Sequence, residues 1–396
     1  MLLNADRAVK IMERLGLDAL VTSSPHNINY VSDIRHENRT RVLMFAVLLR
    51  SNWRDSVLLM PLGDMRDVAG TDHTWIKDLR PTGKFLVYKE KDAEKDPRET
   101  DIWKVVLRPK LDSIDALVQT LDEKGLRGKR VGLDESWLMK SVYDLIQSKV
   151  ERNLGTRVES GFSAFREIRM VKTEEEVRRL RISAKITEEA IAAALDVAKE
   201  GASGEEIVRS YMRKAWEMGA YPTNEGIGFG RLAFLNNRQK PSRHRLKRGD
   251  LIRFDASLVY ESYYSDVART AILGEPTTKQ KRIYEAVKVG NDAAMELVRP
   301  GVKVSQVFKA AVEGTRNAGI PEFDRSHCGH GIGIELYDDP LIDPTDEAVF
   351  EENMVIDIEN PYYSIGFGAA HVEDTILVLS KGHERLTTSS RDLLVL

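Results

Sequence analysis

The chain has 396 residues, 42% hydrophobic and 31% charged, enough to bury the cores of two domains and typical of a globular protein. A formal charge of −3 at pH 7 gives no overall basic field, so neither nucleic acid nor an anionic membrane is an expected partner. The single cysteine, Cys328, excludes an internal disulfide framework, and charges interrupt every long apolar run, so a soluble cytoplasmic protein is expected.

In chain order, Ala8, Val9, Ile11, Met12 and Leu15 line one face of a helix over 5–15, stopped by Gly16. Strands are expected at 17–22, 42–49, 55–60, 84–88 and 129–134, with helices at 111–124 and 135–150. This alternation predicts an α/β N-terminal domain over 1–165. The charged segment 91–99 reads as exposed loop, and His26 and His36 as surface or hydrogen-bonded histidines.

A second domain is expected over 166–396. Thr173 stands three residues before Glu176, a capping box ahead of a helix over 174–199. Segments 205–218, 282–297 and 304–318 repeat the amphipathic pattern. Two helix pairs, each followed by strands, predict an internal duplication with a crease between the two halves of a sheet, a usual home for a small ligand. Gly226, Gly228 and Gly230 lack the Lys-Ser/Thr ending of a phosphate loop and read as strand or turn.

Strands at 251–259 and 263–273 carry Asp255 and Asp266, and a turn near Tyr260 and Glu261 sets the two acids opposite one another. Strands at 353–359 and 370–378, returning through 365–368, set Glu359 opposite Glu373. Carboxylates are depleted in strands, and like charges directly opposite destabilise a sheet. Two such pairs therefore need compensation, and a cation is the simplest form of it; the alternative makes the acids solvated strand ends and His330 an ordinary loop histidine. His330, between Gly329 and Gly331, has room to reach a metal. One imidazole and four carboxylates suit Mn, Co, Fe or Zn better than thiolate-seeking ions, and two such ions can activate water and polarise a carbonyl. Cys328 beside His330 reads as a buried, inert thiol.

The motifs Arg253-Phe254-Asp255, Tyr264-Ser265-Asp266 with Arg269-Thr270, Gly329-His330-Gly331, Met354 to Glu359, and Val372-Glu373-Asp374 occur in an order that resembles the pita-bread metallohydrolases. That family includes prolidase, aminopeptidase P, methionine aminopeptidase and creatinase. The segment 24–33 resembles the N-terminal domain of creatinase and prolidase. The resemblance implies an α/β creatinase-like N-terminal domain followed by an α+β pita-bread catalytic domain with a curved antiparallel sheet. It implies two divalent metal ions on Asp255, Asp266, His330, Glu359 and Glu373, with Asp266 and Glu373 bridging, and a homodimer. Glu359 is then the expected general acid or base.

Three positions depart from the family's peptidases. Asn237 and Arg238 stand where a histidine precedes the Asp255 strand, and are expected to contact substrate. Tyr337 stands where a second histidine follows the metal histidine, and His371 where proline-directed members carry an arginine. Tyr337, His371 and His327 are the candidate catalytic proton donors; Arg39 and Arg41 could pair with a substrate carboxylate. Each of these also has a purely structural reading. The expected activity is hydrolysis of an amide C–N bond, in an Xaa-Pro dipeptide or short peptide. Hydrolysis of a small non-peptide metabolite, as by creatinase or ectoine hydrolase, and a non-catalytic binding module remain open alternatives.

Overall fold

The computed structural model describes residues 1–35, 43–91, 93, 96–108, 111–235 and 244–396, in two compact units, Met1–Arg169 and Met170–Leu396. No helix among the described residues is long and apolar enough to cross a membrane.

The first unit is built on a mixed six-stranded sheet in the spatial order Asp78–Thr82, Val57–Pro61, Phe45–Leu49, Ala19–Thr22, Arg130–Leu133, Arg157–Ser160. The central strand Ala19–Thr22 pairs antiparallel with Phe45–Leu49 and parallel with Arg130–Leu133. It is buried along its whole length, which is why its sequence is a continuous apolar run rather than an alternation.

Two expectations fail in this unit, and one helix was not expected. Residues 84–88 are not a strand: Gly83 turns the chain at φ 69°, and Leu86 and Tyr88 are left 79% and 84% exposed. The charged stretch 91–99 ends inside a helix, Pro97–Val106, where Asp96 and Glu99 form a capping box. Pro25–Ser32 is also a helix, with Ser24 as N-cap and proline in its first turn, the position where proline's missing N–H costs nothing.

The second unit places two helix pairs on one face of a ten-stranded, mostly antiparallel sheet, curled into a half-barrel. Glu174–Asp196 and Gly204–Glu217 cover Ile252, Phe254, Ala256, Leu258, Val267 and Ala271. Thr278–Leu297 and Val304–Asn317 cover Ile356, Ile358, Ile376 and Val378. Side chains alternate along a strand. Burying these apolar residues under helices therefore turns their neighbours Asp255, Asp266, Asp357, Glu359 and Glu373 onto the opposite face. At the start of the first helix, Thr173 Oγ1 accepts from the Glu176 N–H and Glu176 Oε2 from the Thr173 N–H. The Glu176 carboxyl is fully buried, and burial pushes its pKa up to about 7.

The hairpin joining Leu251–Tyr260 to Tyr263–Ile272 turns on Glu261 and Ser262, at φ 45° and 72°. Asp255 consequently faces Ala268, and Asp266 faces Ser257. The two acids are diagonal neighbours, not direct partners. Glu359 and Glu373 do face each other.

Candidate metal centre

Strand register assembles the site. Across the sheet Asp255 pairs with Ala268, Ala268 with Glu373, and Glu373 with Glu359, one continuous row. Two residues along, Ser257 pairs with Asp266, Thr375 with Asp357, and Asp357 with His330. Cross-strand partners share a face, as do residues two apart, so both rows project from the helix-free side. Ala268 ends at Cβ and leaves the space between Asp255 and Glu373 open.

The half-barrel's curl closes the ends of these rows on each other. One ligand atom from each of Asp266, His330 and Glu373 lies within 4.8 Å of the others, and the same holds for Glu359, His371 and Glu373. Glu373 belongs to both triads. Asp255 lies outside them: its Oδ2 accepts from Arg253 Nη1 at 2.7 Å. Asp266 Oδ1 accepts from the Ser257 hydroxyl at 2.9 Å.

The imidazoles are held by their surroundings. His330 Nδ1 lies 3.0 Å from the Gly331 carbonyl; placing the N–H there leaves Nε2 free to coordinate, the arrangement common in metal-binding histidines. The Tyr337 ring stacks on His330, centroids 3.8 Å apart. His327 Nε2 lies 3.1 Å from Glu359 Oε1, His371 Nε2 3.3 Å from Glu359 Oε2, and Arg325 Nη2 3.9 Å from Glu359 Oε2.

These neighbours divide the carboxylates. Burial, reinforced by the neighbouring acids, pushes Asp266 and Glu373 well above the usual carboxylate range. Asp357 is raised too, chiefly by burial. Burial also acts to raise Glu359, but His327, His371 and Arg325 outweigh it and hold that carboxyl well below its ordinary value. One carboxylate whose ionised form is favoured thus sits among others that resist ionising together.

The residues fit divalent cations. His330 Nε2, Glu373 Oε1, both Asp357 oxygens and both His371 nitrogens are buried without a hydrogen-bond partner among the described residues. A buried orphan of this kind costs about 1–3 kcal/mol, and these converge on one face. The donors are oxygen and nitrogen, suited to hard or borderline ions. Cys328 does not compete: burial pushes its thiol up to about 12.

Asn237, Arg238, Arg39, Arg41 and His36 lie outside the described residues. His26 packs edge-on against Trp137. Several residues at the site had not been singled out from sequence. Asp357 was legible in the alternation Ile356-Asp357-Ile358-Glu359, which puts it on the same face as Glu359. Lys172, fully buried and 3.7 Å from Asp338, adds positive charge near Asp357. Arg325 and the Tyr363 ring beneath it, 5.6 Å away, carry no sequence pattern that marks them.

The sequence profile of metallopeptidase family M24 matches residues 178–380, and that of the creatinase/prolidase N-terminal domain matches residues 5–171. The chain belongs to metallopeptidase family M24. Among M24 relatives, it is 33% identical over 233 residues to an Xaa-Pro dipeptidase of Pyrococcus horikoshii, a match spanning 58% of this chain and 66% of that protein, just under two thirds. It is 26% identical over 402 residues to an Xaa-Pro dipeptidase of Lactobacillus delbrueckii subsp. lactis, covering 100% of this chain and 99% of that one. The solved prolidase of Pyrococcus horikoshii OT3 shares the fold, with a TM-score of 0.77 over 98% of this chain and 99% of that one at 24% identity.

Proposed function

We propose that this M24 metallopeptidase hydrolyses Xaa-Pro dipeptides, or short peptides with proline second, using two divalent ions drawn from Mn, Co, Zn and Fe. Asp255, Asp266, His330, Glu359 and Glu373 would hold them. The observation that carries this reading is Glu373 shared between two ligand triads, in a chain that aligns end to end with an Xaa-Pro dipeptidase. Divalent cations in such a site lower the pKa of water and polarise the scissile carbonyl. Glu359, flanked by His327, His371 and Arg325, takes up a proton from the attacking water and delivers it to the leaving nitrogen as the C–N bond breaks. Tyr337, stacked on His330, fixes that imidazole. Arg325 beside Glu359 offers a guanidinium to the free carboxylate of a dipeptide. The same reading carries a cytoplasmic homodimer acting on short peptides.

A panel of Xaa-Pro dipeptides, Xaa-Ala dipeptides and creatine-like and ectoine-like compounds tests this. Xaa-Pro hydrolysis should vanish with chelator and return with Mn2+ or Co2+, and Glu359→Gln should fold normally with kcat about 10²–10⁴ lower. Turnover of the small metabolites with none of the dipeptides would overturn the substrate assignment.

A further inference from the structure

His371 sits between the short strand Gly368–Ala370 and the strand Glu373–Val378, and its backbone is clamped by one residue. Its N–H donates to Thr270 Oγ1 at 2.9 Å, and its carbonyl accepts from the same hydroxyl at 2.9 Å. Thr270 lies on the Asp266 strand, so the clamp ties His371 to the sheet that carries the acids. The side chain is wholly buried, and neither ring nitrogen has a hydrogen-bond partner among the described residues. Nε2 nevertheless lies 3.3 Å from Glu359 Oε2 and 3.8 Å from Glu373 Oε2. Ligand bonds of about 2.0–2.2 Å at near-tetrahedral to octahedral angles put neighbouring donors about 3–3.5 Å apart. The observed spacing is close to that of atoms sharing one cation, and one ligand atom each of Glu359, His371 and Glu373 lies within 4.8 Å of the others.

We propose that His371 is itself a metal ligand, joining Glu359 and Glu373 around one of the two cations while His330 serves the other beside Asp266 and Glu373. This rests on the metal-binding reading above and deepens it: each cation has one imidazole. A ligand nitrogen is not available as a proton donor, so His371 leaves that group, with His327 remaining. An imidazole on each cation also shifts the second position's preference toward Zn2+, Co2+ or Fe2+ over Mn2+.

Metal-stripped protein loaded with two equivalents of Co2+ gives a direct count by proton NMR. Each coordinated imidazole contributes one solvent-exchangeable N–H resonance displaced far outside the diamagnetic range. The wild type should show two such resonances. His371→Gln should keep one and bind one of the two Co2+ ions at least about tenfold more weakly, with an unchanged circular dichroism spectrum. His330→Gln should lose the other, and that variant decides the question even if His371→Gln fails to fold, because one resonance remaining supports the assignment and none overturns it. A single wild-type resonance that survives in His371→Gln overturns the role of His371 while leaving the metal centre standing. Failure of the wild type to bind Co2+ removes the metal centre itself.

Discussion

Glu359 and Glu373 are direct cross-strand partners, yet their environments hold them at opposite ends of the carboxylate range. Burial acts on both, and the difference comes from what lies beyond each: Glu359 faces two imidazoles and a guanidinium, while Glu373 faces Asp266, Glu359 and other acids. This asymmetry makes Glu359 the acid whose charge its neighbours stabilise and Glu373 the one that most needs a compensating cation. Arg325 is the residue whose role is most open to a substrate test. If its guanidinium meets a dipeptide's carboxylate, Arg325→Met should raise KM for an Xaa-Pro dipeptide about tenfold or more with a smaller change in kcat. Such a variant should also lose the preference for the dipeptide over its C-terminal amide. Equal loss on both substrates would assign Arg325 to Glu359 alone.

At the level of elements, the hairpin that carries Asp255 and Asp266 explains both a success and a failure of sequence reasoning. Centring the turn on Tyr260 and Glu261 makes Asp255 and Asp266 partners; centring it on Glu261 and Ser262 moves each partner by two residues. A two-residue slip preserves the face, so the acids still converge although the pairing is wrong. The turn residues themselves concealed the register. Positive φ at both central positions favours Asn-Gly, and Glu-Ser gives no such signal. Ser262→Gly should therefore stabilise the protein by about 0.5–1 kcal/mol, seen as a higher denaturation midpoint at unchanged slope; a lower midpoint would refute the turn's strain. The helices of the second unit were legible because apolar spacing and capping boxes agree there. The helices beginning at Pro25 and Pro97 carried cap signals too, at Ser24 and Asp96, but loop-like composition masked them. Segment 84–88 is an apolar, aromatic run like a buried strand, and no strand among the described residues pairs with it. The curl that brings His371 to Glu359 depends on contacts distant in sequence, which no local pattern reveals.

For the whole molecule, the two units carry profile matches that together span residues 5–380, and the fold was legible as a class because strand and helix periods separate cleanly along the chain. The chemistry concentrates in the second unit, where one sheet face gathers Asp255, Asp266, Asp357, Glu359 and Glu373. Such a face is stable only if something balances it, and pH dependence reports the balance. Asp266, Asp357, Glu373 and Glu176 have folded-state pKa values raised above their ordinary values. Their contribution to stability is fully present below about pH 4 and lost as pH rises through the folded values; Glu359, depressed, acts in the opposite sense. Cations held as proposed would reverse the loss, because they bind the ionised carboxylates. At about 1,000-fold excess over Kd a bound ion adds about 4 kcal/mol, on the order of 10 °C in Tm for a unit of this size. Thermal unfolding of metal-stripped protein, with and without Mn2+, from pH 5 to 8 is the most direct test. The account predicts a Mn2+-induced rise in Tm that widens with pH and collapses in an Asp266→Asn, Glu373→Gln double variant; no rise at pH 8, or an equal rise in that variant, would contradict it.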